Sequence, residues 1–586
     1  MSYKHLKNQS FYKVFYGVWG AILLFCCLSV KAQQMGKTLS IEYFGAKAND
    51  DRNDAEALRK AAEYCRKSPG TTLRFPPGRY DFRDEKAVSF MKDVLAGKMG
   101  KNPEKVIFTP YYPYIKGLDF TGAKNITLEA EGAELYCEGW MEPISLEYCE
   151  NITIKGLTID YKHQPHSEGK VLKVKKGYME VEFDRRFPVQ EDMVVTRIMF
   201  WDTQADRLLP YPIYFPEQVK LVSPQTLRIY SEEIQKKHKK KIALLNHSFH
   251  FRPAILIHES RDTYLENVTI HAQPGMGIVG HRSHNVTMKG LRVVPREGHY
   301  QSTNTDATHF TSCTGLIRFD GCQFKGQGDD ATNIHNYYNT ITRRNTEKVC
   351  EVAVKTAYGT HAQVLDYPDV GDKMELVDKM SLKKIRVYNV LKVEKFDTYW
   401  KTRLTLDKAL PENIEEYYLI NSTRLPKVEM VHCNIQSHLA RAVLIKTRNV
   451  LIEHNTFQNT TGTGIHIGAE GDWQEGVAAA DVVVRNNRII HCGRGDGTQN
   501  GACGITVNVK AENTKVPGLH KRLLFEHNII EGENAECGIF ISGAEDVTIR
   551  NNEISGCKEP VKVQYSTKVM IDGKPVPEEG FPSAGN

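Results

Sequence analysis

The sequence predicts an all-β chain wound as a right-handed parallel β-helix, with two small antiparallel β-barrel domains inserted into it. Three observations carry that reading. One short pattern recurs, as Asn125-Ile126-Thr127-Leu128, Asn151-Ile152-Thr153-Ile154, Asn267-Val268-Thr269-Ile270 and Asn285-Val286-Thr287-Met288. It returns later as Asn449-Val450-Leu451-Ile452, Asp481-Val482-Val483-Val484 and Asp546-Val547-Thr548-Ile549. Each copy reads as a brief alternating strand entered from Asn or Asp. Units of roughly twenty to thirty residues cannot bury their own apolar faces, so they must stack into a solenoid. Helical periodicity is scarce, and two stretches interrupt the repeat with independent strands.

Taken in order, residues 1–32 read as a signal peptide. Lys4, Lys7 and Lys13 precede an apolar run from Val14 to Val30, and Val30-Lys31-Ala32 sets small residues at the cleavage positions. Export to the periplasm or exterior is expected, without a stable membrane span after cleavage, since no later stretch is apolar for long enough. Residues 33–168 are expected to form a cap and the first coils. Asp54 would N-cap a helix whose apolar stripe is Ala57, Leu58, Ala61, Ala62 and Cys65. A solenoid needs such a shield over its terminal layer. Residues 169–247 form the first insertion, 248–338 carry coils with clustered carboxylates, and 339–425 form the second insertion. Coils resume over 426–586 and end in a polar tail from Lys568, expected to be loose.

At 586 residues the chain exceeds one ordinary core. Its net charge of +6 comes from interspersed signs, which argues against a nucleic-acid partner. Cys322, Cys433, Cys492, Cys537 and Cys557 recur within strand-and-turn patterns, so they read as small buried residues, not metal ligands or a disulfide framework. No metal and no cofactor are expected.

The chemistry concentrates between Asn304 and Asp330. Asp306 and Asp329 lie 329 − 306 = 23 residues apart, close to one coil. That spacing predicts neighbouring rungs of one face, roughly 4.8 Å apart, with Asp330 beside them at a corner. Carboxylates at such range repel, which raises at least one pKa as a general acid requires. Asn304, His309, Asn333 and His335 sit close in sequence. Lys446, His466, Glu470 and Trp473 fall on later rungs of the same groove, His466 between glycines that would let a ligand approach and Trp473 suited to stack on a sugar. Paired carboxylates on a groove suit glycoside hydrolysis. A different glycanase or a lyase acting on an acidic polysaccharide, and a non-catalytic glycan-binding solenoid, also fit the residues.

Asn304-Thr305-Asp306, Gly328-Asp329-Asp330 and Gly464-Ile465-His466-Ile467-Gly468 resemble, in order, signatures of polygalacturonase-type β-helix hydrolases. The last motif departs from theirs, and an Arg-Ile-Lys is lacking, with only Leu444-Ile445-Lys446 upstream. A closer resemblance is to glycoside hydrolase family 110, the exo-α-1,3-galactosidases of gut bacteria, which includes the stretch from Gly326 to His335. That resemblance implies an inverting, cofactor-free enzyme removing terminal α-1,3-linked galactose from blood group B and related glycans. By motif position it implies Asp329 as general acid, with Asp306 and Asp330 holding the attacking water. Asn304, His335, Lys446, His466, Glu470 and Trp473 are the expected substrate contacts.

Overall fold

The computed structural model describes residues 37–109, 112–187, 189–354, 366–396 and 401–578. The signal-like segment lies outside them. The described residues form a parallel β-helix built from three stacked ladders. One is a 14-stranded sheet running from Thr38–Ser40 to Lys574–Pro575, parallel except for its last pair. The other two interlace within a 20-stranded sheet. Alternation sets the faces: Ile126, Ile152, Thr263, Val286, Ile317, Val428, Val450 and Val482 stack inward, residue on residue, and all are buried, every one but Thr263 apolar. Each apolar side chain contributes about 1.5–3 kcal/mol by leaving water.

The Asn residues of the repeat turn the corners. Asn125, Asn151, Asn267 and Asn285 have φ between 53° and 56°, a left-handed bend that Asn adopts more readily than other residues with a side chain. Their side chains also tie rungs together, as where Asn151 Nδ2 donates to Asn125 Oδ1 at 2.8 Å. At another corner Asn455, Asn487, Asn528 and Asn552 form a buried ladder. Asn455 Nδ2 donates to Asn487 Oδ1 at 2.9 Å, and Asn487 Nδ2 to Asn528 Oδ1 at 3.0 Å.

One ladder positions the site. Its strands are Ile255–His258, Ile278–His281, Thr308–Thr311, Thr332–His335, Val443–Ile445, Ile465–Glu470 and Ala502–Lys510. A column of small residues, Gly277, Ala307, Ala331, Ala442, Gly464 and Gly504, lines the corner before it. The column is small because rungs meet closely there: a Cβ on Gly277 would lie 2.4 Å from the Ala307 carbonyl oxygen.

Between 166 and 246 the chain leaves the solenoid to form an antiparallel eight-stranded sheet around its own core, including Val181, Phe200, Leu227 and Leu245. Between 338 and 421 it forms a closed six-stranded antiparallel barrel packed on Val352, Leu376, Tyr388 and Leu404.

Three local expectations change. Asp54 does not cap its helix, Ala55–Lys67, because its carboxylate accepts the backbone N–H groups of Lys47 and Asp81 instead. The helical stripe itself is buried as read. A second helix, Glu85–Leu95, starts at Asp84, whose side chain accepts from the Lys86 and Ala87 N–H groups. The tail is not loose throughout: Thr567–Ile571 pairs with Ala544–Arg550 and closes the stack. Cys322, Cys433, Cys492 and Cys537 are buried, and Cys557 is half-buried. Among the described residues, no helix is long and apolar enough to cross a membrane.

Candidate functional site

The register of the site ladder decides which carboxylates face each other. Thr308 pairs with Thr332, an offset of 332 − 308 = 24 residues. The Ala307 N–H donates to the Asp330 carbonyl, so that offset holds into the corner. Asp306 therefore lies level with Asp330, not Asp329, because the coil is one residue longer than the gap between Asp306 and Asp329. Asp329 stands one residue earlier, on the turn. Arg441 continues the row on the next rung and clamps Asp330: its Nε and backbone N–H donate to Oδ1 at 2.8 Å, and Nη2 donates to Oδ2 at 2.7 Å. The row Asp306, Asp330, Arg441 immediately precedes the small-residue column.

Burial, then the charges of Asp306 and Asp330, push Asp329 up to about 8 against the opposing pull of Arg197 and Arg441. Burial and then Asp330 also push Asp306 well up. The shifts belong to the coupled group of carboxylates, which holds protons at neutral pH that isolated Asp side chains would lose. Asp330 has both oxygens engaged by Arg441. Asp306 pairs through Oδ2 with His309 Nδ1 at 2.6 Å, and His309 Nε2 lies 2.8 Å from His335 Nε2. Burial lowers His309 to about 3, leaving a neutral imidazole beside Asp306.

The remaining expected contacts divide into two groups. Asn304 is fully buried and held by protein: its Nδ2 donates to the Ser248 carbonyl at 3.1 Å, and its Oδ1 accepts from Gln301 and Asn246. Lys446 is buried in an ion cluster with Glu470 and Glu475, and Glu470 also pairs with Lys510 at 2.6 Å and Arg441 at 3.4 Å. Against burial, which lowers it, the two glutamates hold Lys446 above its usual value; against burial, which raises it, Lys446 and Arg441 hold Glu470 well below. These residues brace the site. His466 and Asn333 are different. They share the outward row His309, Asn333, Leu444, His466. His466 Nε2 bonds Asn508 Oδ1 at 2.7 Å, which leaves Nδ1 as a buried acceptor without a partner among the described residues. Asn333 Oδ1 likewise has no partner among the described residues. The glycines around His466 serve packing: a Cβ on Gly464 would meet Ile489 at 2.5 Å, and one on Gly468 would meet His466 itself at 2.9 Å. Trp473 lies on the turn after Ile465–Glu470 and is 49% exposed.

Several residues escaped the sequence reading. Arg441 had a signal, since Asp306-Ala307, Asp330-Ala331 and Arg441-Ala442 repeat one pattern: a charged residue before the small corner. Glu475, Asn508 and Arg197 had none, because each reaches the site from another coil or from the first insertion. Arg197 Nη2 donates to the Asn304 carbonyl at 2.5 Å.

Comparison with known proteins gives a consistent picture. Over 498 residues the chain is 27% identical to alpha-1,3-galactosidase B of Bacteroides thetaiotaomicron, covering 79% of this chain and 77% of that one. Over 569 residues it is 25% identical to alpha-1,3-galactosidase A of Bacteroides fragilis, covering 92% and 90%. The chain is thus similar along most of its length to proteins named α-1,3-galactosidases. Alpha-1,3-galactosidase A of Shewanella woodyi is similar at 27% identity over 78% of this chain and 76% of its own. No protein-family model matches the chain. Among solved structures, the family 28 exopolygalacturonase of Yersinia enterocolitica overlaps 92% of this chain and 79% of its own, at 13% identity and a TM-score of 0.43. An exopolygalacturonase of Thermotoga maritima overlaps 92% and 93%, at 12% identity and 0.39. Overlaps of that size add nothing to what the ladders already show about fold.

Proposed function

We propose that the protein is an exo-acting, inverting α-1,3-galactosidase. Its substrates are terminal α-1,3-linked galactose on blood group B-type branched glycans and on linear α-1,3-galactosyl chains. The observation that carries the reading is the carboxylate group, with Asp306 and Asp330 buried and Asp329 half-buried beside them, on a chain similar to named α-1,3-galactosidases. Within it Asp329, pushed up to about 8, keeps a proton at neutral pH and so can give it to the departing glycosidic oxygen.

Asp306 and Asp330 together hold the attacking water and share the role of base. Asp330 is engaged by Arg441, whereas Asp306 uses Oδ2 on His309 and receives no donor at Oδ1 from the described residues. Asp330 and Arg441 then fix the water's other side. A single water gives its proton to this pair as its oxygen bonds to the anomeric carbon from the face opposite the aglycone, whose departing oxygen takes the Asp329 proton, and this one displacement inverts the centre. Asn333 Oδ1 and His466 Nδ1 accept from galactose hydroxyls, and Trp473 is placed to stack on the sugar's apolar face. Asn304, His335, Lys446 and Glu470 hold this arrangement without touching sugar. A neutral substrate suits the site better than a uronic acid, because Arg441 and Lys446 are already neutralised by Asp330, Glu470 and Glu475.

The test is incubation with an oligosaccharide ending in α-1,3-galactose, followed by NMR from the first minutes. β-Galactose forming first supports the proposal. The α anomer refutes inversion, an unsaturated product absorbing in the ultraviolet identifies a lyase, and binding without release identifies a lectin-like solenoid.

A further inference from the structure

Asp329 has an unusual neighbourhood on its turn. A Cβ on Gly328 would lie 2.2 Å from Arg197 Nη2, so the first insertion touches the main chain directly beside the acid. The Arg197 guanidinium sits 5.2 Å from the Phe249 ring centroid. Phe249 in turn meets Phe215 edge-on at 5.6 Å and Tyr214 at 6.1 Å. Along the short strand Ile213–Tyr214, Ile213 enters the core of the insertion, so Tyr214 points away from it. Tyr214 remains 40% exposed and Phe215 44% exposed. Large exposed rings grouped together mark a binding surface more often than a packing accident.

This rim is held rigidly. The Tyr214 hydroxyl donates to Asp496 Oδ2 at 2.8 Å. Arg494 Nη2 donates to the Leu208 carbonyl at 3.1 Å, and a Cβ on Gly495 would lie 2.3 Å from Pro210 Cβ. Arg207 forms a two-pronged ion pair with Glu533 at 2.9 and 3.0 Å. Loops from the insertion and from the C-terminal coils are thus locked together beside the Gly328–Asp329 turn that Arg197 touches.

We propose that Tyr214, Phe215 and Phe249 form the subsite for the sugar on the leaving-group side of the scissile bond, receiving the apolar C–H face of a neutral pyranose while Asp496 accepts from a hydroxyl. The proposal rests on the galactosidase reading. A general acid protonates the leaving oxygen, so whatever flanks the acid flanks the leaving group, while Asp306 and Asp330 serve the water's side. A ring stacked on a sugar resembles an aromatic pair in size, about 0.5–1.5 kcal/mol, and loss of one ring reads as roughly a threefold to tenfold effect.

The test is the ratio of kcat/KM on an α-1,3-galactosyl-galactose disaccharide to kcat/KM on α-galactosyl fluoride, whose leaving group carries no sugar. The ratio does not depend on the fraction of enzyme folded. Tyr214→Ala and Phe215→Ala should each lower it about threefold to tenfold, whereas Tyr214→Phe, which keeps the ring and loses the bond to Asp496, should lower it less. An unchanged ratio in both alanine variants overturns the subsite, as does a Tyr214→Phe loss equal to that of Tyr214→Ala. A wild-type chain that cleaves neither substrate overturns the galactosidase reading, and the subsite with it; turnover with unchanged ratios overturns the subsite alone.

Discussion

An Asp with an ordinary pKa near 3.8 is almost wholly ionised at pH 7 and is a poor proton donor there. With a pKa of about 8, Asp329 is about 90% protonated at pH 7, about 9% at pH 9 and about 1% at pH 10. On a galactosyl disaccharide, kcat/KM should therefore hold near neutrality and fall roughly tenfold per pH unit above 8. Asp329→Asn should lower disaccharide turnover by about 10²–10⁴-fold, the usual contribution of a general acid. Fluoride leaves without protonation, so galactosyl fluoride should show no alkaline limb near 8 and should lose far less in the variant. Initial rates across pH 5 to 10 on both substrates, with circular dichroism at each pH, separate chemistry from unfolding. An alkaline limb below pH 6, or the same limb on the fluoride, would refute the assignment of the raised proton to Asp329.

The same proton affects stability. With a folded pKa above the unfolded one, the native state holds more protons than the unfolded chain between about pH 4 and 8, so stability from Asp329 is full below 3.8 and declines as pH rises to 8; Asp329→Asn should flatten that decline in thermal unfolding. Arg441→Met removes a cation that lowers Asp329, so the alkaline limb should move upward, and the buried Asp330 left behind should destabilise the chain by about 3–5 kcal/mol. Lys446→Met removes the buried cation that Glu470 and Glu475 share and should lower the thermal midpoint, a cost of similar order, about 3–5 kcal/mol. Asn487→Ala breaks a buried ladder bonded on both sides and should cost about 1–3 kcal/mol in urea unfolding without changing the pH profile, since it lies on a corner away from the carboxylates.

The solenoid was legible because its physics is local. A two-residue alternation puts Ile152, Val286 and Val450 inward whatever the rest of the chain does, and Asn at a left-handed corner is a property of Asn. The acidic cluster was legible for the same reason: Asp306, Asp329 and Asp330 fall within one coil. Register was not, because coil length varies. Ile278 to Thr308 spans 308 − 278 = 30 residues, while Thr308 to Thr332 spans 24, so no fixed period tells which residues are level. Asp306 thus turned out to face Asp330. Arg441 reaches Asp330 across 111 residues, with the second insertion folded in the gap, and Arg197 reaches the Asn304 carbonyl across 107 from within the first insertion. Sequence determined that carboxylates gather on a β-helix. Only the tertiary structure decided which of them are level and how far burial raises their pKa values, because the packing and opposing charge at that point come from residues far along the chain.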